Sequence, residues 1–158
     1  MKNLLIIIPV VILFYSCKSK SALNFSETIV KKEKSLEADI VSTENKVKNF
    51  LAAGAFDSMA AVSKKMESLV TTKLNEIKFL EAPDVQLAEN FKKDAIDYFA
   101  YMKNVYNSYV KFANAKTDEL RQQELLNLQE LVNKKDDVLR NMRNSQKKFA
   151  EANGFKVE

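Results

Sequence analysis

Apolar residues recur along this chain at helical spacing, in four separate stripes. The first runs through Phe25, Ile29, Leu36, Ile40, Val47 and Leu51, and the second through Met59, Val62, Met66, Leu69, Val70, Ile77 and Leu80. The third takes in Leu87, Phe91, Tyr98, Met102, Val105, Tyr109 and Phe112, with Lys92, Lys93, Asn104, Asn107 and Lys111 on the opposite side. The fourth comprises Leu120, Leu128, Leu131, Val138, Met142 and Phe149. Recurrence at i, i+3, i+4 and i+7 marks a helix with one buried face. The stretches 23–53, 56–81, 85–114 and 118–153 are therefore predicted helices.

The breaks between the stripes carry helix stop signals. Beyond residue 16 the only glycines and prolines are Gly54, Pro83 and Gly154, too few for the turns of an all-β fold. Gly54 suits a left-handed closing position, and Pro83, followed by Asp84 as an N-cap candidate, separates the second helix from the third. Thr117, ahead of Asp118 and Glu119, reads as an N-cap with acids complementing the helix dipole. Gly154-Phe155 reads as a C-terminal cap with an apolar contact onto the last turn. Four long helices with short connections predict an all-α, antiparallel, up-down-up-down four-helix bundle. Helices of about 30 residues make a rod roughly 45 Å long, beyond which the longer last helix should overhang.

The N-terminus follows a different pattern. Lys2 precedes an apolar run of 12 residues, Leu4 to Tyr15, and then come Ser16 and Cys17. The run suits a signal-peptide h-region and falls short of the roughly 20 residues needed to span a bilayer. Pro9 inside it further disfavours a spanning helix. A small residue followed by cysteine is a lipobox ending, although Phe14 and Tyr15 are bulkier than usual there. Residues 1–16 are thus predicted as a lipoprotein signal, Cys17 as the lipid-attachment residue, 17–22 as a short tether and 23–158 as the bundle. Cys17 is the only cysteine in the chain, so an internal disulfide is excluded. Acylation of its thiol and of the new N-terminus would give the two or more chains that stable anchoring needs. The expected location is a lipid-anchored position at the outer membrane, on its periplasmic face or at the cell surface.

Composition then narrows the chemistry. Residues 17–158 carry 24 basic and 21 acidic side chains, interspersed, with no basic block pointing to nucleic acid. There is no histidine, so the commonest general base and transition-metal ligand are missing. With Cys17 lipidated, triads, cysteine–histidine pairs and zinc sites are excluded. Glu119, Glu124 and Glu130 lack metal-site spacing, and no glycine-rich phosphate loop exists. The reading is non-enzymatic, with no cofactor and no metal, and with the membrane and an envelope protein as partners.

Two constellations stand out. The third stripe is rich in aromatic residues, and Tyr98, Tyr109, Phe91 and Phe112 are candidates to line a pocket for an apolar or aromatic ligand. The alternative reading is thus a ligand-binding or sensor-like bundle, although such stripes are usually core. Charges also fall on apolar faces: Lys73 and Lys135 lie within their stripes at about 100° per residue, and Glu33 lies at the edge of its own. In an antiparallel bundle these three sit at similar heights, close to Tyr98. They predict a polar layer in which Glu33 meets Lys73 or Lys135, with Tyr98 beside them; the competing reading has the lysine stems reaching out to water.

The signal with Cys17, the Leu80-Glu81-Ala82-Pro83 break before Phe91, Ala95 and Tyr98, and the ending Phe149-Ala150-Glu151-Ala152-Asn153-Gly154-Phe155 together resemble the small all-helical lipoproteins of Bacteroidetes. That group is related to surface proteins of spirochaetes. The resemblance implies a four-helix bundle at an envelope surface, no known activity, and tolerance of a relaxed lipobox. It carries over one functional residue, the lipidated Cys17. The lysines that follow Cys17 do not resemble the group's acidic surface-export signal, which leaves the periplasmic orientation open.

Overall fold

In a computed structural model, the backbone is described for residues 11–157 and the side chains for residues 18–157. The Leu4–Tyr15 run falls largely outside these limits, as does the side chain of Cys17. Five helical segments follow one another: α1 (Val11–Lys34), α2 (Glu37–Ala52), α3 (Phe56–Phe79), α4 (Ala88–Asn114) and α5 (Asp118–Ala152). Joined end to end, α1 and α2 form one kinked rod, and the protein is an all-α four-helix bundle.

The kink replaces the single helix expected over 23–53. At Ser35 the side chain turns back to the carbonyl of Lys32 (2.7 Å), and Leu36 N bonds to Glu33 O (2.9 Å), a tighter three-residue turn. Such back-bonding by serine competes with the regular ladder and bends helices. Leu36 is nevertheless buried, so the bend keeps the apolar stripe against the core on both sides. At the other end of α1, the expected tether over 17–22 is helical instead. Ala22 is fully buried in the core and Phe25 nearly so, which draws the preceding turn into the helix.

Both glycines hold the left-handed conformation expected of them, Gly54 at φ 65° and Gly154 at φ 73°. Phe155 N bonds back to Ala150 O (3.1 Å), and its ring packs edge-on against Phe149 at 5.7 Å. The Thr117 hydroxyl accepts from Leu120 N at 3.2 Å, closing the start of α5. Thr117→Ala should cost about 1 kcal/mol in chemical denaturation, with the helix content at rest unchanged.

The α3–α4 connection departs from the prediction. Asp84 caps nothing, and α4 begins at Ala88, not residue 85. The residue ahead of it, Leu87, takes φ 61° and ψ 11°, a left-handed conformation costing a residue with a β-carbon roughly 1–2 kcal/mol. Nor does α5 overhang. Arg121 donates to Ala115 O at one end (3.0 Å) and Asn153 to Gln86 O at the other (2.9 Å), so both ends of α5 are tied to those of α4.

The core has two parts. The larger is built on Phe25, Ile29, Leu36, Met66, Val70, Ile77, Phe91, Ala95, Phe99, Met142 and Phe149. The smaller lies near Gly54 and comprises Val47, Met59, Phe112 and Ala113, with Phe56 and Leu128 against them. Over it sits the Arg121 guanidinium, 4.4 Å from the Phe56 ring centre. The main packing runs α2 on α3, α3 on α4 and α4 on α5, while α5 touches α1 only lightly. Between 118 and 141 no residue of α5 is buried, and Leu120, Leu125, Leu126 and Val132 face water. Among the described residues no helix is long and apolar enough to cross a membrane.

Candidate functional site

All four tyrosines of the described region lie on α4, at 98, 101, 106 and 109. Three of them spend their hydroxyls across the bundle. Tyr98 Oη donates to Glu33 Oε1 on α1 at 2.9 Å, and Tyr109 Oη to Glu44 Oε2 on α2 at 3.2 Å. Tyr101 Oη donates to the Leu131 carbonyl of α5 at 3.0 Å. Glu33 and Glu44 are 11 residues apart, and so are Tyr98 and Tyr109. Eleven residues complete about three helical turns, so the same tyrosine–carboxylate contact repeats one level along the bundle. The α1–α2 rod and α4 run in the same direction, on diagonal corners, which keeps the two pairs in register.

These environments hold the phenols neutral. Burial first, and then the Glu33 carboxylate, push Tyr98 well above its ordinary range, with Arg143 offsetting part of the rise. Burial and Glu44 do the same to Tyr106 and Tyr109. Tyr101 is raised by burial, then by Asp136 and Glu44. Neutral phenols bonded to carboxylates are donors fixed in place. They order the bundle and offer no base or nucleophile to a substrate.

The anticipated polar layer is thus real in one contact and different in the rest. Glu33 and Tyr98 meet. Lys73 turns to Glu76 on its own helix (3.1 Å), and Lys32 of α1 reaches the same carboxylate at 2.7 Å. The hydrogen bonds from Lys32 and Lys73 hold the Glu76 carboxyl below its usual range. Lys135 is exposed, because the flank between α5 and α2 is open and its stripe position faces water there. A further buried acid, Glu67, receives Lys64 Nζ (2.9 Å) and Asn107 Nδ2 of α4 (3.1 Å). Burial would raise its carboxyl, and those two donors outweigh it and lower it.

The aromatic pocket does not assemble. Phe91 is fully buried and stacks on Phe149 at 5.1 Å, in the larger cluster with Phe25. Phe112 belongs to the smaller cluster, edge-on to Phe56 at 6.0 Å. Tyr98 and Tyr109 lie between, closed by their carboxylates. Core packing divides the four rings instead of gathering them around a space.

Two surface depressions are lined by other residues. One is a long groove of about 1270 Å³ between α1 and α5, with Val30, Leu139 and Phe155 on its floor and Lys31, Arg143 and Lys147 at its rims. The other, about 320 Å³, is a shallow hollow over the α3–α4 connection. No group of three or more acidic or cysteine side chains suited to holding a metal occurs among the described residues. No family model, curated protein or solved structure matches this chain.

Proposed function

We propose that this protein is a non-catalytic lipoprotein of the bacterial cell envelope, held at the membrane through Cys17 and acting as a helical bundle that contacts other proteins. The observation that carries this reading is the order Lys2, Leu4–Tyr15, Ser16, Cys17, placed directly ahead of a folded bundle. Ala22, already core, lies only five residues beyond Cys17, so the sequence changes from export signal to packed domain with almost nothing between. Support for contact with other proteins comes from α5, whose Leu125, Leu126 and Val132 are exposed on a helix that packs chiefly against one neighbour. The membership suggested by the lipoprotein-like motifs belongs to the same proposal.

Lipidation is tested by metabolic labelling with a palmitate analogue in a bacterial host. The wild-type chain should take up label and sediment with membranes. Cys17→Ala should lose the label entirely and accumulate as the unprocessed form. Equal labelling of the two would sink the proposal. The reading of a ligand-binding bundle loses its main support, since Tyr98, Tyr109, Phe91 and Phe112 line no opening described above.

A further inference from the structure

The end of the bundle that receives α1 also carries its most exposed aromatic ring. Phe79, the last residue of α3, is 86% exposed. It lies two residues beyond Ile77, which is fully buried, so it points away from the core face. Across the connection, Leu87 is 42% exposed and sits in the left-handed conformation that glycine or asparagine would adopt with less strain. An apolar side chain at a strained and largely wet position, outside both core clusters, is not accounted for by core packing. The segment between them is firmly held: Leu80, Ala82 and Val85 pack on the core, and Asn153 fastens Gln86 O.

Its position along the bundle is set by α1. Lys18 Nζ lies 3.7 Å from Asp84 Oδ2, so the connection stands level with the residue that follows Cys17. From this geometry we infer that residues 79–87 form an interfacial tip that seats Phe79 and Leu87 in the headgroup region of a phospholipid bilayer. The inference rests on the lipid-anchor reading of Cys17, which brings this end, and not the Gly54 end, to the membrane. Single apolar side chains flanked by Lys18, Lys20 and Lys78 suit shallow insertion, with the cations at headgroup level. Glu81 within the tip and Glu89 in the first turn of α4 limit the depth, while Asp84 is matched by Lys18.

The chain has no tryptophan, so one introduced residue becomes a sole reporter. Full-length protein carrying Phe79→Trp, Leu87→Trp or, as a distal control, Val132→Trp is expressed in a lipoprotein-processing host. Each is purified and reconstituted into vesicles of phosphatidylcholine and phosphatidylglycerol with or without brominated chains. All three positions are exposed, so the variants should fold, as circular dichroism will record. Emission from Phe79→Trp and Leu87→Trp should shift to the blue and fall about twofold in brominated vesicles, as for side chains at the acyl boundary. Val132→Trp should do neither. Mass analysis of the N-terminal peptide reads the anchor separately. A lipidated chain whose Phe79→Trp and Leu87→Trp emission ignores the bromines would overturn the tip alone. An unlipidated Cys17 would overturn both readings.

Discussion

Between about pH 10 and 12 the protein is expected to unfold in one step, releasing its buried tyrosines as tyrosinate while the helix signal collapses. In the folded bundle, burial and the facing Glu33 and Glu44 carboxylates raise Tyr98, Tyr106 and Tyr109 far above their ordinary value. The unfolded chain has no such environment and ionises near pH 10. A group raised on folding contributes its full stability below the unfolded value and loses it as the pH climbs toward the folded one. Each fully shielded tyrosine therefore removes about 1.4 kcal/mol of stability per pH unit above that point. Tyr98 and Tyr106, the two most buried, together remove about 5 kcal/mol over two units, comparable with the whole stability of a small domain. Tyr109, raised by burial and by Glu44 in the same way, adds to this loss. Tyrosinate absorption and far-ultraviolet dichroism followed through one alkaline titration decide the matter. Phenols that ionise near pH 10 with helix content intact would contradict the closed tyrosine–carboxylate pairs.

Removing the Phe149 ring should be the most damaging single truncation in the bundle. The ring is fully buried, stacked on Phe91 at 5.1 Å and met edge-on by Phe25 at 5.9 Å and Phe155 at 5.7 Å. Three elements converge there, namely α1, α4 and the C-terminal cap, so the void cannot close without moving one of them. Phe149→Ala should cost about 3–5 kcal/mol and lower the melting temperature by about 10 °C. Phe149→Leu, which keeps most of the volume, should cost about 1.5 kcal/mol or less. Leu126→Ala, on the open side of α5, should stay within about 0.5 kcal/mol of wild type. Thermal melts of the three variants give the ranking directly. A Phe149→Ala protein as stable as Leu126→Ala would mean that this cluster is not the centre of the fold.

Periodicity carried the architecture because amphipathic spacing is a property of local sequence. The stripes located α3, α4 and α5, and scarce glycine located the end of α2 at Gly54 and of α5 at Gly154. It could not reveal the bend at Ser35, since a serine within a helical pattern shows no sign of which carbonyl its hydroxyl will take. Nor could it show that Leu87, which lies between two core-held neighbours, Val85 before it and Ala88 after it, would adopt a left-handed conformation.

Among the candidate site residues, Glu33 and Tyr98 were legible together because angle and height could both be reckoned. The second pair was within reach by the same reasoning, as Glu44 and Tyr109 repeat the first after 11 residues on each helix. Lys73 and Lys135 misled for a physical reason. Facing the stripe brings a lysine to a carboxylate only where a neighbouring helix covers it, and the neighbour that decides Lys73 is Glu76, one turn along its own helix. Phe91 and Phe112 fall on one stripe, yet they belong to different clusters because α4 is long enough to serve both.

The helical continuity of α1 into the core has a consequence for reach. A lipoprotein on a flexible leash samples a hemisphere above its anchor and meets partners at any height within it. Here, with lipid on Cys17, the first buried residue follows within five positions, so the bundle would stand as a short post with little freedom to lean. Its far end, the turn at Gly54, would lie some 35–40 Å from the bilayer, the length of α3 at 1.5 Å per residue. A partner engaging the exposed flank of α5 would then have to present its own surface within that fixed layer.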